Sequence, residues 1–96
     1  DLEPVVKVLK RSPDATVRVE GHADKRKTST REYNQRLSER RANAVKDYLV
    51  QQSGIRAANI TAVGYGFDRP VAPNDTEENM QKNRRTDIYI KKGGAK

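Results

Sequence analysis

This chain of 96 residues lacks several residue types on which common protein chemistries depend. It has no cysteine, no tryptophan and a single histidine, His22. Without thiols there are no disulfides, no thiolate zinc sites and no cysteine nucleophile, and one histidine excludes a multi-histidine metal site. No nucleophile stands beside a plausible base, so we expect the chain not to be an enzyme. We also expect no bound metal and no cofactor.

Apolar material is also scarce. Hydrophobic residues make up 33% of the chain against 34% charged residues, and no apolar run approaches the ~18 residues that a membrane-spanning helix needs. The length suits one small domain with a thin core. The net charge of +7 favours an anionic partner such as nucleic acid, an acidic membrane surface or a cell-wall polymer, although such an excess is common simply for solubility.

The apolar residues are nonetheless periodic, and they predict an α+β domain with helices on one face of a sheet. The predicted order is a helix that begins by residue 2 and is stopped at 12–14, a strand that starts at 17 and ends near 21 or 22, a long helix capped at Ser29 or Thr30 and closed by Ser53-Gly54, a strand over 60–65, a helical turn over 77–82 and a strand over 86–90. The tail over 91–96 is expected to fray.

The long helix carries a charged residue where its apolar side is predicted. At about 100° per residue, the side chains of Leu37, Ala44, Val45 and Tyr48 share one side, with Arg41 in the middle of it. A buried guanidinium cannot lose its proton, so it needs a carboxylate from this protein or from a ligand.

A candidate carboxylate lies just past the first predicted strand, at Asp24. With Asn34 and Leu37 on the same side of the helix as Arg41, these residues predict a pocket that suits a ligand bearing an ammonium and a carboxylate side by side. The residues alone leave a second interpretation open, in which Asp24 and Arg41 simply pair with each other.

Several longer motifs resemble one known family. The segments are GHAD at 21–24, YNQRLSERRANAVKDYL at 33–49, GI at 54–55, ITAVGYG at 60–66 and NRR at 83–85. They resemble the OmpA-like peptidoglycan-binding domain over nearly the whole chain, and within that family the peptidoglycan-associated lipoproteins in particular.

The resemblance implies a β-α-β-α-β-β fold whose first strand is missing before residue 1, so that 1–96 would be one N-terminally truncated domain. Such an open sheet edge could pair with a second copy. It also implies noncovalent, noncatalytic binding to the diaminopimelate of the peptidoglycan stem peptide, which would anchor a periplasmic domain and its outer-membrane parent to the cell wall, without membrane contact by the domain itself. The implied ligand-binding residues are Asp24, Arg41, Asn34 and Leu37, with Ala23, Thr28 and Arg84 in support.

A basic nucleic-acid-binding domain is the alternative from another class. It would use Lys25, Arg26 and Lys27 together with the patch over 82–85, and its affinity for oligonucleotides would fall steeply with added salt.

Overall fold

The computed structural model describes residues 2–26 and 30–93 of the chain. Its elements are α1 (Glu3–Arg11), β1 (Thr16–Gly21), α2 (Arg31–Ser53), a 3-10 turn (Ala57–Asn59), β2 (Ile60–Gly64), α3 (Glu77–Asn83) and β3 (Thr86–Lys91). The predicted segments are therefore all present, with ends displaced by one or two residues. Ser29 as a cap and Thr28 as a site residue lie outside the described residues.

The three strands form one mixed sheet in the order β2-β1-β3. The central strand β1 runs parallel to β2, with Val17 opposite Ile60, and antiparallel to β3, with Val19 opposite Ile88. Helix α2 packs on β1 and β2, and α1 packs on α2. The predicted α+β fold is confirmed, with the helices forming a layer on the sheet.

The core lies between this helical layer and β1. Its buried members come from α1, from α2, from β1 and the residue just before it, and from β2 and the segment that leads into it. They are Val6, Leu9, Ala15, Val17, Val19, Ala42, Leu49, Ile55 and Ile60. Along β1 the apolar side chains alternate with Arg18 and Glu20, as expected for a strand with one apolar face.

The ends of α2 follow ordinary capping rules. The Thr30 side-chain oxygen accepts a hydrogen bond from the Tyr33 backbone N–H at 3.2 Å. Thr30, one of the two predicted N-cap residues, therefore caps the helix. Gly54 closes the helix with a φ of 78°, a left-handed conformation that glycine adopts without steric cost. These two caps fix where the helix that carries Arg41 begins and ends.

The predicted apolar side of α2 is wrong. The buried residues of this helix are Asn34, Ser38, Ala42 and Leu49, while Ala44 and Tyr48 are exposed. The cause is a close approach between the helix and the strands that small residues allow. A Cβ added at Gly64 would lie 2.5 Å from the Glu39 backbone nitrogen, and one added at Gly21 would collide with the Ser38 carbonyl oxygen.

Two predicted boundaries also shift at the C-terminal side. Strand β3 continues to Lys91 and thus one residue into the tail that was expected to fray. Helix α3 includes Asn83, whose side chain is fully buried. This side chain holds the loop that precedes α3, because Asn83 Oδ1 accepts a hydrogen bond from the Val71 N–H at 2.7 Å and the side-chain amide donates to the Ala72 carbonyl oxygen at 2.9 Å.

Strand β3 pairs only with β1 among the described residues, so its other edge is open there. Dimerisation through a sheet edge stays a prediction. In the described part of the chain, no helix combines the length and the apolar character required to cross a bilayer.

Candidate ligand-binding site

A cleft of about 320 Å³ opens where β1 ends and α2 begins. It is lined by Asp24, Arg26, Tyr33, Asn34, Leu37, Arg41 and Arg84. The four residues predicted to bind ligand thus line one cleft, together with the predicted supporting residue Arg84. A carboxylate, three guanidinium groups, an amide and an apolar wall are available to a bound molecule.

Asp24 is fixed at the cleft by the backbone that follows β1. The preceding residue, Ala23, is buried, and its N–H donates to the Gly66 carbonyl oxygen at 2.8 Å. The Asp24 side chain is 8% exposed, and its Oδ2 accepts from Arg26 Nε and from Arg84 Nη1, each at 2.7 Å. Asp24 therefore has two cationic partners in the protein, and neither of them is Arg41.

Glu77, at the first turn of α3, joins these two arginines from the outside. Its carboxylate lies 2.8 Å from Arg84 Nη2 and 3.2 Å from Arg26 Nη2. The hydrogen bond from Arg84 lowers the pKa of Glu77, and the same bond raises the pKa of Arg84. Two carboxylates and two guanidinium groups thus form a network that brings α3 to the end of β1.

Arg41 stands apart from this network. Its side chain is half-buried on the second turn of α2 beyond Asn34, and no carboxylate among residues 2–26 and 30–93 lies within ion-pair distance of its guanidinium. The interpretation in which Asp24 and Arg41 pair with each other is therefore wrong. Arg41 contributes an uncompensated positive charge to the cleft, and solvent or a ligand anion must satisfy its donors.

Asn34 and Leu37 form the wall between the two charged ends. Asn34 is buried, and its Nδ2 donates to the Thr30 carbonyl oxygen at 3.0 Å. The described residues supply no donor to its Oδ1, which remains able to accept from a ligand ammonium. Leu37 is half-buried and adds the apolar surface, while Tyr33 is 55% exposed at the rim.

The other site predictions have mixed outcomes. Ala23 is buried and positions Asp24 through its backbone, but it does not line the cleft. Arg84 contacts Asp24 directly, which is a larger part than the predicted support of the wall. Sequence analysis missed Arg26 and Glu77 as members of the site. Arg26 follows Asp24 by two residues and could have been weighed as its partner, whereas nothing local connects Glu77 to a residue 53 positions earlier.

The basic residues proposed for nucleic-acid binding are largely engaged within the protein. Arg26 and Arg84 contact Asp24 and Glu77, and Arg85 Nε pairs with Asp87 Oδ2 at 3.1 Å. Lys27 lies outside the described residues. Guanidinium groups that are already paired with carboxylates contribute little to phosphate binding, so Arg26, Arg84 and Arg85 do not supply an open cationic patch.

Comparison of the sequence with models of known protein families identifies the class of this domain. The OmpA family model matches residues 1–84, and this chain belongs to that family. Its first 84 residues hold every side chain that lines the cleft.

Individual relatives agree in sequence and in fold. Over 87 residues the chain is 46% identical to the peptidoglycan-associated lipoprotein of Pseudomonas aeruginosa, and over 90 residues it is 44% identical to outer membrane porin F of the same organism. Among solved structures, it matches the peptidoglycan-associated lipoprotein of Burkholderia pseudomallei with a TM-score of 0.83 and 32% identity. It also matches the cell wall anchor of the T6SS from Pseudomonas aeruginosa with a TM-score of 0.79 and 34% identity.

These matches cover most of this chain but only part of each relative. They span 94% of this chain and 25% of the porin, and 91% of this chain and 49% of the Pseudomonas lipoprotein. For the solved structures, they span 94% of this chain and 74% of the Burkholderia lipoprotein, and 97% of this chain and 64% of the T6SS anchor.

Proposed function

We propose that this domain binds peptidoglycan noncovalently, through the diaminopimelate of the stem peptide, and so anchors a cell-envelope protein to the wall in the periplasm. The observation that carries the proposal is the cleft in which a carboxylate, Asp24, shares one opening with a guanidinium, Arg41, that has no carboxylate partner among the described residues. Two relatives support the same function, since one is a peptidoglycan-associated lipoprotein and the other is a cell wall anchor.

The chemistry of the cleft suits the free end of diaminopimelate. That end carries an ammonium and a carboxylate on one carbon, so each needs a partner of opposite charge. The guanidinium of Arg41 would hold the carboxylate, because it can donate two parallel hydrogen bonds and has no competing acid among the described residues. Asp24 would accept from the ammonium through Oδ1, since its Oδ2 is held by Arg26 and Arg84.

The arginine pair on Asp24 orients the carboxylate and also attenuates its charge. The lining holds three arginines and one aspartate, so the local balance is positive and a ligand carboxylate is attracted more strongly than an ammonium. A zwitterionic end would therefore approach with its carboxylate toward Arg41, and the ammonium would then be placed beside Asp24. Leu37 would contact the hydrocarbon chain between the two centres of the ligand.

Binding to a single stem peptide should be modest. Hydrogen bonds to charged groups contribute roughly 1.5–3 kcal/mol each, and the cleft is open to solvent on the side of Tyr33, which is 55% exposed. A polymer that repeats the same ligand many times retains such a domain by rapid rebinding. The expected behaviour is a reversible anchor.

The test is a pull-down of the purified domain with isolated sacculi that contain diaminopimelate. Wild type should sediment with the wall, free diaminopimelate should release it, and Arg41→Ala should remain in the supernatant. Retention of Arg41→Ala at the wild-type level would contradict the site. An oligonucleotide that binds the wild type in a salt-sensitive manner and displaces it from the wall would favour the nucleic-acid alternative instead.

A further inference from the structure

A second cluster of ionisable groups lies at the end of β1 and is formed by residues that do not line the cleft. Glu20 on β1 and Asp87 on β3 are direct partners in the antiparallel register, so their side chains leave the sheet on the same face. His22 follows Glu20 by two residues and is oriented toward both carboxylates. Tyr65 covers the imidazole from above, with ring centroids 5.5 Å apart.

The imidazole of His22 is buried and has no hydrogen-bond partner among the described residues. Its side chain is 2% exposed, and neither Nδ1 nor Nε2 makes a hydrogen bond. Nε2 lies 3.4 Å from Asp87 Oδ2 and 3.7 Å from Glu20 Oε1. Buried polar groups are almost always satisfied, so a nitrogen that points at two carboxylates without bonding to either requires an explanation.

The separations fit a shared ion better than they fit hydrogen bonds. Hydrogen bonds from nitrogen to oxygen are usually shorter than about 3.2 Å. Ligand atoms held ~2.1 Å from a tetrahedral zinc ion lie ~3.4 Å from one another. One ligand atom from each of Glu20, His22 and Asp87 falls within 4.8 Å of the other two, so a small inward movement would complete three sides of such a site.

The neighbouring arginines leave room for this role. Arg18 Nε holds Glu20 Oε2 at 2.7 Å, and Arg85 Nε holds Asp87 Oδ2 at 3.1 Å. Glu20 Oε1, the oxygen nearest to His22, accepts no hydrogen bond from the described residues. The Asp87 oxygen nearest to His22 is Oδ2, which Arg85 also holds, so Asp87 would share that oxygen between the guanidinium and the ion or turn its Oδ1 toward the ion. The two guanidinium groups offset the repulsion between the opposed carboxylates, and they also reduce the attraction for a cation.

We propose that Glu20, His22 and Asp87 form a binding site for one divalent transition-metal ion of the zinc type. The donor set of one imidazole and two carboxylates favours zinc over the oxygen-seeking calcium and magnesium ions. Asp87 is 30% exposed and provides the access from solvent, and the position opposite the three ligands would be taken by water. The site is separate from the peptidoglycan cleft and does not depend on its function.

The experiment uses the untagged chain, freed of metal with a chelator that is then removed. Zinc is titrated by calorimetry, and cobalt is titrated in parallel by visible absorption, which reports tetrahedral coordination by nitrogen and oxygen. Wild type should bind one equivalent and gain thermal stability that rises with the logarithm of the metal concentration above the Kd. His22→Gln and Asp87→Asn should each weaken binding by at least about tenfold, because each removes a ligand.

The choice of Asp87→Asn and one control variant keep the test decisive. Asp87→Asn retains the shape of a partly exposed side chain and so stays informative if the buried His22 variant fails to fold. Asp68→Asn removes an exposed acid that pairs with Arg31 outside the cluster and should bind metal as wild type does. Binding that is absent in the wild type, or that Asp87→Asn leaves unchanged, would overturn the proposal.

Discussion

Replacing Arg41 by alanine should weaken peptidoglycan binding while leaving the stability of the domain nearly unchanged. The reason lies in its surroundings, because Arg41 is half-buried at the rim of the cleft and has no carboxylate partner in the described part of the chain. Its removal breaks no internal ion pair and leaves no buried acid uncompensated. Alanine is also the residue most favourable to a helix interior, so α2 itself should not suffer.

The size of the binding loss follows from the bonds that the guanidinium would make. A charge-assisted hydrogen bond contributes about 1.5–3 kcal/mol, which corresponds to an affinity about 10- to 150-fold weaker when it is lost. Affinity would be measured by calorimetric titration with a soluble stem peptide that contains diaminopimelate. Stability would be followed in the same samples by thermal unfolding, where a loss of 1 kcal/mol lowers the Tm by about 4–8 °C in a domain of this size.

The chain offers a matched control one residue away. Arg40 is exposed on the other side of α2, and Arg40→Ala removes the same charge, which takes the net charge from +7 to +6 (7 − 1) in both variants. Arg40→Ala should bind within about twofold of wild type, as expected for a screened surface charge. Equal losses in the two variants would show that general charge attracts the wall, and a large fall in the Tm of Arg41→Ala would show a structural role; either result refutes the reasoning.

Three other changes probe the network and the packing around the cleft. Asp24→Asn should lower both peptide affinity and the Tm, because it replaces the carboxylate charge that Arg26 and Arg84 share with a neutral amide, and unchanged unfolding would contradict that linkage. The pKa of the Glu77 carboxyl should lie below its ordinary value of 4.5, because Arg84 donates a hydrogen bond to it. The contribution of Glu77 to stability is therefore present above pH 4.5 and is lost as the pH falls through the folded pKa. NMR titration of Arg84→Gln should find the Glu77 pKa moved back upward. Gly21→Ala should destabilise the domain by about 1–3 kcal/mol in denaturant unfolding through overpacking against α2, and wild-type stability would show that the helix can retreat.

The sequence predicted the elements well because their ends carry local signals. Thr30 and Gly54 cap α2 through chemistry that is visible in a few neighbouring residues. The face of α2 that packs on the sheet was not predictable by the same route. Ser38 and Ala42 are buried since they are small and permit a close approach to Gly21 and Gly64, whereas apolar periodicity assigns burial to large hydrophobic side chains.

The site was predicted in its membership but not in its pairing. Asp24 and Arg41 line one cleft as expected, yet Asp24 pairs with Arg26 and with Arg84, which lies 60 residues later in the chain. The NRR motif showed that Arg84 stands before a strand, but only the folded topology places that strand end beside the end of β1. The alternative in which Arg41 pairs with Asp24 came from expecting a buried guanidinium, whereas Arg41 is only half-buried.

The most direct measurement compares two soluble stem peptides, one with diaminopimelate and one with lysine in its place. They differ only in the carboxylate at the far end of that side chain, which is the group assigned to Arg41. Wild type should bind the diaminopimelate peptide at least about tenfold more tightly, and Arg41→Ala should bind the two peptides equally. Equal binding of both peptides by the wild type would contradict a cleft that recognises adjacent positive and negative charges.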